Sequence, residues 1–417
     1  MELCFKGAAK EVGRSAILVK TDKAKIMFDY GLKPLPKGVD FPEKVNEKID
    51  GLFLSHGHLD HLGAAPLLKN IPVYGHEITS HFARLLLTDT LKIAKQDGYD
   101  IGYGEDDVKD LQKNFESMDY EQTVNIKDES VKAIDAGHMP GSFMFFMEKS
   151  SLLYTGDFKL EDTRLVKGAK VDIGKVNTLI TETTYSDRDH PDRDKEEKRL
   201  IEYIKQTLDN DGVMLMPTFA ISRTQEIILI LNEYGIKTPI YIDGMSASAT
   251  EIINAYPELQ KDYNSVKKAM QRLDVRYVDA PNRKKIIKKP CIIITGSGML
   301  EGGAILEYMK RLYDNENCSV ALTGFQVPGT AGFKLLQTGQ MSINGKEVKV
   351  KANVKKFDFS SHASRTDILK LVKKLNPENV FCIHGEKTEE FSSELKELGY
   401  NAYSPDRKCY KINLDKK

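Results

Sequence analysis

The residues with the clearest chemical potential lie in one short segment. A buried strand predicted over residues 49–55 runs directly into a turn that carries His56, His58, Asp60 and His61. Imidazole nitrogens and carboxylate oxygens suit Zn²⁺, and alternate residues of a tight strand-to-helix turn can be aimed at a common point. His56 and His58 can share one ion while Asp60 and His61 face a second. Uncompensated ionisable groups at a strand end are costly, which favours a metal site over a surface cluster of histidines.

Other candidate ligands also follow predicted strands. The residues at these strand ends are His138 after 131–135, Asp157 at the end of 152–157, His362 after 356–360, and His384 after 380–383. Side chains from several strand ends are held rigidly by the scaffold, so we expect them to converge. Three further histidines lie in helical or polar stretches, which predicts surface positions for His76, His81 and His190.

The pattern of elements divides the chain into outer and middle parts. Short apolar strands dominate the first part, and their meander-like spacing predicts mixed or antiparallel sheets. From residue 194 a helix to 208, a strand 213–217, a helix 222–232 and strands 240–243, 291–295 and 319–323 predict a parallel α/β unit. Capping boxes are predicted at Ser222 with Gln225 and at Ser364 with Asp367. We therefore expect boundaries at 1–190, 191–345 and 346–417, with the middle part inserted.

Length and composition limit the alternatives. The 417 residues carry 61 Lys+Arg and 61 Asp+Glu, and 41% are hydrophobic, which describes globular domains rather than disorder. No apolar run of about 18 residues and no basic-then-apolar start appears, so we expect neither a membrane span nor a secretion signal. The five cysteines are scattered without a Cys-x-x-Cys pair, which predicts reduced core residues in a cytoplasmic protein.

The order of the motifs resembles that of a known superfamily. The His-x-His-x-Asp-His segment, then Gly137-His138 and Thr155-Gly156-Asp157, is similar to the metallo-β-lactamase superfamily. Three later segments, at residues 181–185, 361–364 and 383–386, look like the additional motifs of its β-CASP nuclease branch. The resemblance covers nearly the whole chain. It implies an α/β fold in which an αββα metallo-β-lactamase sandwich carries an inserted parallel α/β β-CASP domain.

Within that branch, a histidine in the last motif resembles the RNA-processing members, so His384 points to RNA. Segments 217–220, 243–245 and 296–299 resemble the inserted domain of archaeal cleavage-and-polyadenylation-specificity-factor-like and ribonuclease J-like enzymes, and the chain is most similar to those without KH domains. Two residues depart from the pattern, since Ser186 and Ser222 stand where relatives usually have glycine. Both departures affect turns rather than chemistry.

The resemblance also implies a cofactor and ligand assignments. It places two Zn²⁺ in the chain, the first on His56, His58, His138 and Asp157, and the second on Asp60, His61, Asp157 and His384. A water activated by two metals would attack phosphorus in line and leave a 5′-phosphate. His362 would protonate the departing 3′-oxygen or contact phosphate, with Glu182 accepting its other N–H. The resemblance implies a catalytic role for Asp60 as well, beside His362 and Glu182.

Further candidates position ligands or contact RNA. Asp29 ends the predicted strand 26–28 and either orients a ligand imidazole or forms a turn. The loop with Ser297 and Gly298 follows a strand and precedes a helix, so its N–H groups could hold a phosphate. The remaining candidates for RNA contact are Arg223, Lys284 and Lys285, together with a lysine-rich stretch over 346–356.

We therefore expect a zinc-dependent ribonuclease that hydrolyses single-stranded RNA, as an endonuclease, a 5′-to-3′ exonuclease or both. The alternative is a non-catalytic RNA-binding scaffold subunit of an RNA-processing complex. A small-molecule hydrolase is opposed by the long insertion between Glu182 and His362, and a di-iron redox enzyme by the imidazole at His58. Homodimers and other RNA-processing factors are expected partners from the family alone.

Overall fold

The computed structural model describes residues 1–35 and 38–413, which form two compact units. Unit 1 comprises Met1–Asp162, Lys167–Asp189 and the part from Ser361 onward. Unit 2 comprises Thr163–Val166 and His190–Ser360. The sequence predicts an insertion over residues 191–345, whereas unit 2 runs on to Ser360 and includes a short earlier segment.

The strands of the described residues are β1 (Glu2–Phe5), β2 (Ile17–Lys20), β3 (Lys25–Phe28), β4 (Lys33–Pro34), β5 (Val39–Asp40), β6 (Gly51–Phe53), β7 (Val73–Gly75), β8 (Phe115–Ser117), β9 (Thr123–Ile126), β10 (Glu129–Asp135), β11 (Phe143–Met147), β12 (Leu152–Tyr154), β13 (Thr178–Glu182), β14 (Val213–Pro217), β15 (Ile240–Asp243), β16 (Val275–Val278), β17 (Cys291–Thr295), β18 (Ser319–Leu322), β19 (Gln340–Ile343), β20 (Lys346–Lys349), β21 (Asn353–Lys356), β22 (Asn379–Ile383), β23 (Asn401–Tyr403) and β24 (Cys409–Lys411).

The α-helices of the same residues are α1 (Leu59–Leu62), α2 (Glu77–Asp97), α3 (Glu105–Lys113), α4 (Arg193–Asp209), α5 (Arg223–Glu233), α6 (Met245–Ala255), α7 (Ser265–Arg272), α8 (Arg283–Ile286), α9 (Ala304–Leu312), α10 (Ala331–Thr338), α11 (Arg365–Leu375) and α12 (Thr388–Glu397). No helix in this part of the chain has the length and apolar character needed to cross a bilayer.

Unit 1 is a sandwich of two sheets covered by helices. Within its described residues the two seven-stranded sheets have the orders β24-β1-β2-β3-β6-β7-β8 and β23-β22-β13-β12-β11-β10-β9. Buried aromatic rings, among them Phe28, Phe53, Phe145 and Tyr154, fill the space between the sheets. Residues of α2 and α3 pack on the outer face of the first sheet, and residues of α11 and α12 pack on the second. The predicted αββα sandwich is confirmed.

Unit 2 is built on a parallel sheet of order β16-β15-β17-β14-β18-β21. Its central strand β17 is buried along its whole length, as expected for a strand of a parallel sheet that is covered on both faces. Residues of α9 and α10 pack in one of its cores with β14, β17 and β18. The predicted parallel α/β insertion is confirmed.

The prediction that all five cysteines are reduced is wrong. Cys4 and Cys409 form a disulfide, while Cys291, Cys318 and Cys382 are free and buried. The reason is topological: β1 and β24 pair antiparallel in a register that sets Cys4 opposite Cys409. A pairing between residues 405 positions apart leaves no local pattern in the sequence.

The two predicted capping boxes have different outcomes. Ser364 and Asp367 form the predicted reciprocal box at the start of α11. The box predicted at Ser222 is wrong, because this residue has φ 70° and its side chain makes no capping hydrogen bond. A left-handed backbone favours glycine, so the serine occupies a position where its family's usual glycine would be unstrained.

Candidate metal centre

The candidate ligands lie where several strands end at one edge. β12, β13 and β22 are parallel neighbours, and β10 runs in the same direction because two antiparallel pairings connect it to β12. The carboxyl ends of these four strands therefore lie together. In the other sheet β6 ends at Phe53, just ahead of the His-x-His-x-Asp-His segment, and α1 begins at Leu59. The local sequence thus places strand, turn and helix in the predicted order.

The first ligand group comprises His56, His58, His138 and Asp157, whose candidate ligand atoms all lie within 4.8 Å of one another. Nε2 of His56 is 3.0 Å from Nδ1 of His58 and 3.5 Å from Oδ2 of Asp157. Nε2 of His138 is 3.4 Å from Nδ1 of His58. Three imidazoles and one carboxylate form a donor set that suits zinc.

The second ligand group comprises Asp60, His61 and His384, again within 4.8 Å. Nε2 of His384 is 3.2 Å from Oδ2 of Asp60. Oδ2 of Asp157 is 3.3 Å from Nε2 of His61, and Oδ1 of Asp157 is 3.5 Å from Nδ1 of His384. Asp157 therefore lies between the two groups.

Two buried polar atoms in this cluster indicate that the residues fit a cation. Within residues 1–35 and 38–413, Nε2 of His61 and Oδ1 of Asp157 are buried and make no hydrogen bond. Such atoms are costly unless another group binds them, and both are zinc ligand atoms. The donor chemistry and these two atoms together fit metal binding.

Asp29 is a buried hydrogen-bond acceptor for residues at this edge. Its Oδ2 accepts hydrogen bonds from Nδ1 of His61 at 2.7 Å, Oγ of Ser55 at 2.7 Å and the hydroxyl of Tyr154 at 2.6 Å, and its Oδ1 accepts from the Ser55 amide at 2.7 Å. Donation from Nδ1 leaves His61 to present Nε2, the arrangement in which a carboxylate fixes the tautomer of a ligand. Oγ of Ser55 lies 3.0 Å from Nδ1 of His56.

A third group joins Glu182 and His362 beside the ligands. Nδ1 of His362 lies 3.0 Å from Oε2 of Glu182, whose other oxygen accepts the amide of Phe158 at 2.9 Å. The hydroxyl of Thr184 also donates to Glu182, at 2.5 Å. The carboxylate is buried while the His362 side chain is 22% exposed. This arrangement holds the imidazole at the surface of the site with one nitrogen turned inward.

Sequence patterns alone give no role to Ser55, Tyr154 and Thr184, although each lies within three residues of a motif ligand or of Glu182. The contact between the carbonyl of Ser361 and Nδ1 of His138, at 2.9 Å, is likewise not predicted. The available signal is adjacency to a motif, since these contacts join segments as far as 223 positions apart.

Burial and charge set the protonation of this cluster. Burial lowers the pKa of His58 to about 4 and, with neighbouring imidazoles, lowers the pKa values of His56 and His138. Neutral imidazole is the form that binds metal. Burial also lowers the pKa of His362, but the charges of Glu182 and Asp157 outweigh burial and raise this pKa to about 9.

Uncommon backbone conformations occur at two residues of this cluster and beside a third. His384 and Asp29 have φ of 50° and 55°, which is uncommon for residues other than glycine. Gly137, beside His138, has φ 66°, and a Cβ there would lie 2.5 Å from the carbonyl oxygen of Lys159. A side chain at position 137 would therefore displace the loop that carries His138.

The candidates for RNA contact lie in unit 2 and differ in exposure. Lys284 and Lys285 are exposed on α8. Arg223 is buried, and its charge contributes to lowering the pKa of Asp358. Oγ of Ser297 accepts the amides of Glu301 and Gly302 at 3.0 and 3.1 Å.

The loop after β17 uses some of its own amides in internal hydrogen bonds. The amides of residues 301 and 302 are already used within the loop, and α9 begins only at Ala304. Gly298 packs against a neighbouring loop, where a Cβ would lie 3.2 Å from the carbonyl carbon of Thr218. Phosphate binding by the amides around Ser297 and Gly298 stays a prediction.

The prediction of surface positions is wrong for two of three histidines. His76 is buried and caps α2, with Nδ1 accepting the amide of Ile78. The His190 side chain is only 11% exposed and lies 3.6 Å from Asp358. His81 is exposed, as predicted. Capping and ion pairing bury polar side chains in segments that read as surface.

Comparison with known proteins identifies three family matches along the chain. Residues 9–207 match the metallo-beta-lactamase superfamily, residues 224–335 match the Beta-Casp domain, and residues 347–405 match the Zn-dependent metallo-hydrolase RNA specificity domain.

Several curated proteins are similar to this chain over most of its length. The chain is 38% identical to "Probable RNase MJ4" of Methanocaldococcus jannaschii, covering 97% of this chain and 98% of that protein. It is 34% identical to "RNase aCSPSF2" of Saccharolobus solfataricus, covering 96% and 83%, and 33% identical to "Transcription termination factor FttA" of M. jannaschii, covering 95% and 69%. An Enterococcus faecalis V583 protein of unknown function has a similar fold, with TM-score 0.60 and 14% identity over 98% of this chain and 99% of that one.

Proposed function

This chain belongs to the Beta-Casp branch of the metallo-β-lactamase superfamily, and on that premise we propose that it is a zinc-dependent ribonuclease that hydrolyses single-stranded RNA. One observation carries the proposal: ligand side chains that follow four strands form two groups, the ligand atoms of each group lie within 4.8 Å of one another, and two of the buried atoms lack partners among the described residues. Support for RNA comes from the RNA specificity domain matched over residues 347–405 and from relatives named as RNases.

The two ligand groups define where metal would be held. His56, His58, His138 and Asp157 would hold one zinc, and Asp60, His61 and His384 would hold a second that shares Asp157. Bound zinc would supply an attacking water of lowered pKa and stabilise charge on the phosphoryl oxygens. Asp29 would keep His61 in the tautomer that presents Nε2.

The residues of the third group handle the leaving group. In hydrolysis a bond forms between a water oxygen and phosphorus, the bond from phosphorus to the 3′-oxygen breaks, and the 3′-oxygen needs a proton. His362 would donate that proton, because Nδ1 faces Glu182 at 3.0 Å and the protonated ring is favoured by that carboxylate. The products would be a 5′-phosphate and a 3′-hydroxyl.

The test combines metal analysis with the product pattern from labelled RNA. Purified protein should contain about two zinc ions per chain and lose cleavage when a chelator removes them. Single-stranded RNAs bearing a 5′-hydroxyl, monophosphate or triphosphate separate the modes of cutting. Internal products that do not depend on the 5′ group identify an endonuclease, and mononucleotides released only from a monophosphate end identify a 5′-to-3′ exonuclease.

Absence of both zinc and cleavage would overturn the proposal. It would instead favour the scaffold that binds RNA without cutting it. The completeness of the ligand set opposes that alternative, because buried imidazoles and carboxylates with supporting hydrogen bonds have no use without a cation.

A further inference from the structure

The carboxyl edge of the unit 2 sheet carries a row of residues outside the ligand set. β14, β18 and β21 are adjacent parallel strands, and the row consists of Phe219, Phe325 and Lys356 near their carboxyl ends. In open parallel sheets, ligands bind outside the carboxyl ends of the strands. With about 4.8 Å between strands, the row spans about 10 Å.

Phe219 is the most unusual member, because this residue is 37% exposed although it lies two residues beyond a buried strand. The ring is supported by the backbone of Gly324, where a Cβ would lie 2.7 Å from Cε2 of the ring. Gly298, in the loop after β17, also lies close to this residue, since a Cβ there would be 3.3 Å from the Phe219 amide nitrogen. Two glycines thus allow the backbone to hold this ring in place while leaving it accessible.

Phe325 and Lys356 extend the row. Phe325 is half-buried in the loop after β18, and the Lys356 ammonium lies 5.8 Å from its ring centroid. Nε2 of Gln326 donates to the carbonyls of Gly298 at 2.9 Å and Gly324 at 3.3 Å. This buried amide ties together the loops after β17 and β18, so that the aromatic residues are held on a braced surface rather than on loose loops.

We propose that Phe219, Phe325 and Lys356 form a stacking surface for single-stranded RNA, on which bases stack against the rings and the lysine contacts a phosphate. Aromatic rings beside a positive charge are the chemistry by which proteins hold single strands without reading their sequence. The inference rests on the proposed function, because it assigns a binding surface for the same substrate. It adds residues that the ligand groups and the glycine-rich loop do not include.

Binding is measured on a non-cleaving His58→Ala background by fluorescence anisotropy with a short single-stranded RNA. Phe219→Ala is expected to weaken binding about fivefold or more, since one stacked base contributes about 1–3 kcal/mol. Phe219→Tyr should retain binding because it keeps the ring face. Gly324→Ala should weaken binding because the added methyl displaces the ring. The control is Tyr263→Ala, which removes a 65% exposed aromatic side chain elsewhere in unit 2 and should bind normally.

An RNA with abasic residues tests stacking directly. It should bind the His58→Ala protein weakly, and Phe219→Ala should weaken it no further. Lys356→Ala should lower the slope of log affinity against log salt by about 0.7, whereas Phe219→Ala should leave that slope unchanged. Equal losses for normal and abasic RNA, or equal losses for Phe219→Ala and Tyr263→Ala, would overturn the inference.

These binding measurements need neither zinc nor cleavage. A wild-type protein that fails to cut RNA would therefore overturn the proposed function but not the proposed stacking surface. An unchanged RNA affinity of Phe219→Ala would overturn the stacking surface alone.

Discussion

Both units place polar residues at the carboxyl ends of parallel strands, but they treat buried charge differently. In unit 1, imidazoles and carboxylates crowd together and leave atoms of His61 and Asp157 without partners among the described residues. In unit 2, Asp243 at the end of β15 accepts two hydrogen bonds from Arg283, at 2.7 and 2.9 Å, and one from Tyr308 at 2.6 Å.

Other buried carboxylates of unit 2 are paired in the same way. Glu197 accepts from the guanidinium groups of Arg164 and Arg193. Glu226 accepts from Arg193 and from the amides of residues 164 and 165. The two units therefore differ: the cluster in unit 1 leaves two buried ligand-type atoms without partners among the described residues, whereas the buried carboxylates Asp243, Glu197 and Glu226 of unit 2 are paired with arginine side chains.

The first prediction, with the greatest loss of activity, concerns substitution of a single candidate ligand in unit 1. His58→Ala or Asp60→Ala should abolish RNA cleavage, a loss greater than the about 10–100-fold that removal of a supporting partner costs, because a ligand itself is gone. Zinc per chain should fall while RNA affinity stays largely unchanged. His81→Ala, an exposed histidine outside the cluster, is the matched control. Cleavage retained in both ligand variants would refute the ligand assignment.

The second prediction separates proton donation from phosphate contact at His362. Loss of a general acid costs about 10²–10⁴-fold in kcat, so His362→Ala should show a fall of that size with zinc content unchanged. An RNA with sulfur replacing the bridging 3′-oxygen needs no proton on its leaving group and should rescue the variant. Glu182→Gln should show a smaller defect, because the amide still accepts from Nδ1.

A different kinetic pattern would contradict the assignment. If His362 only contacts phosphate, KM should rise with kcat preserved, and the sulfur-substituted RNA should give no rescue.

The contrast between the units also explains what the sequence predicts and what it does not. Local periodicity predicts β14, β15 and β17 at the residues observed, and α5 within one residue of its ends. The spacing of His56, His58, Asp60 and His61 within one turn predicts that they are candidate metal ligands. The other candidate ligands are predicted from the order of the motifs, by resemblance to the family. These features are local or ordered along the chain, so a single sequence carries them.

Pairings between distant segments are not predicted, because no local pattern encodes them. The hydrogen bond from Tyr154 to Asp29 joins residues 125 apart, and the pair of Arg283 with Asp243 joins residues 40 apart. Arg283 directly precedes Lys284 and Lys285, which the sequence predicts as candidates for RNA contact, yet in the fold this arginine donates to Asp243. The positive φ of Ser222 is likewise a product of packing that overrides a good capping sequence.

The third prediction tests whether charge pairing in unit 2 is structural. Asp243→Asn leaves the partly buried guanidinium of Arg283 without its counter-charge, and breaking such a pair should lower the free energy of unfolding by about 3 kcal/mol. Zinc content should not change. The double variant Asp243→Leu with Arg283→Met should recover much of the loss, because no charge is left unpaired. Zinc loss in Asp243→Asn would erase the distinction between the two edges.

The smallest expected effect compares two carboxyl groups of opposite pKa shift. Burial raises the pKa of Asp135 in unit 1 to about 6, against a hydrogen bond from the Gly137 amide that lowers it. Burial also acts to raise the pKa of Asp358 in unit 2, but His190 and Arg223 outweigh it and hold this pKa below its usual range. Asp135 is therefore buried without a neighbouring cation that lowers its pKa, whereas two cationic side chains lower the pKa of Asp358.

The signs of their pH dependence therefore differ. Between about pH 4 and 6 the folded protein retains a proton on Asp135 that the unfolded chain has lost, so stability falls as pH rises through this range. For Asp358 the unfolded chain binds the proton more readily, so its contribution is present above about pH 4 and is lost as pH falls further. Thermal unfolding midpoints measured against pH should lose the first slope in Asp135→Asn and the second in Asp358→Asn. Identical profiles for both variants would mean that pairing with cations does not distinguish the buried carboxyl groups of the two units.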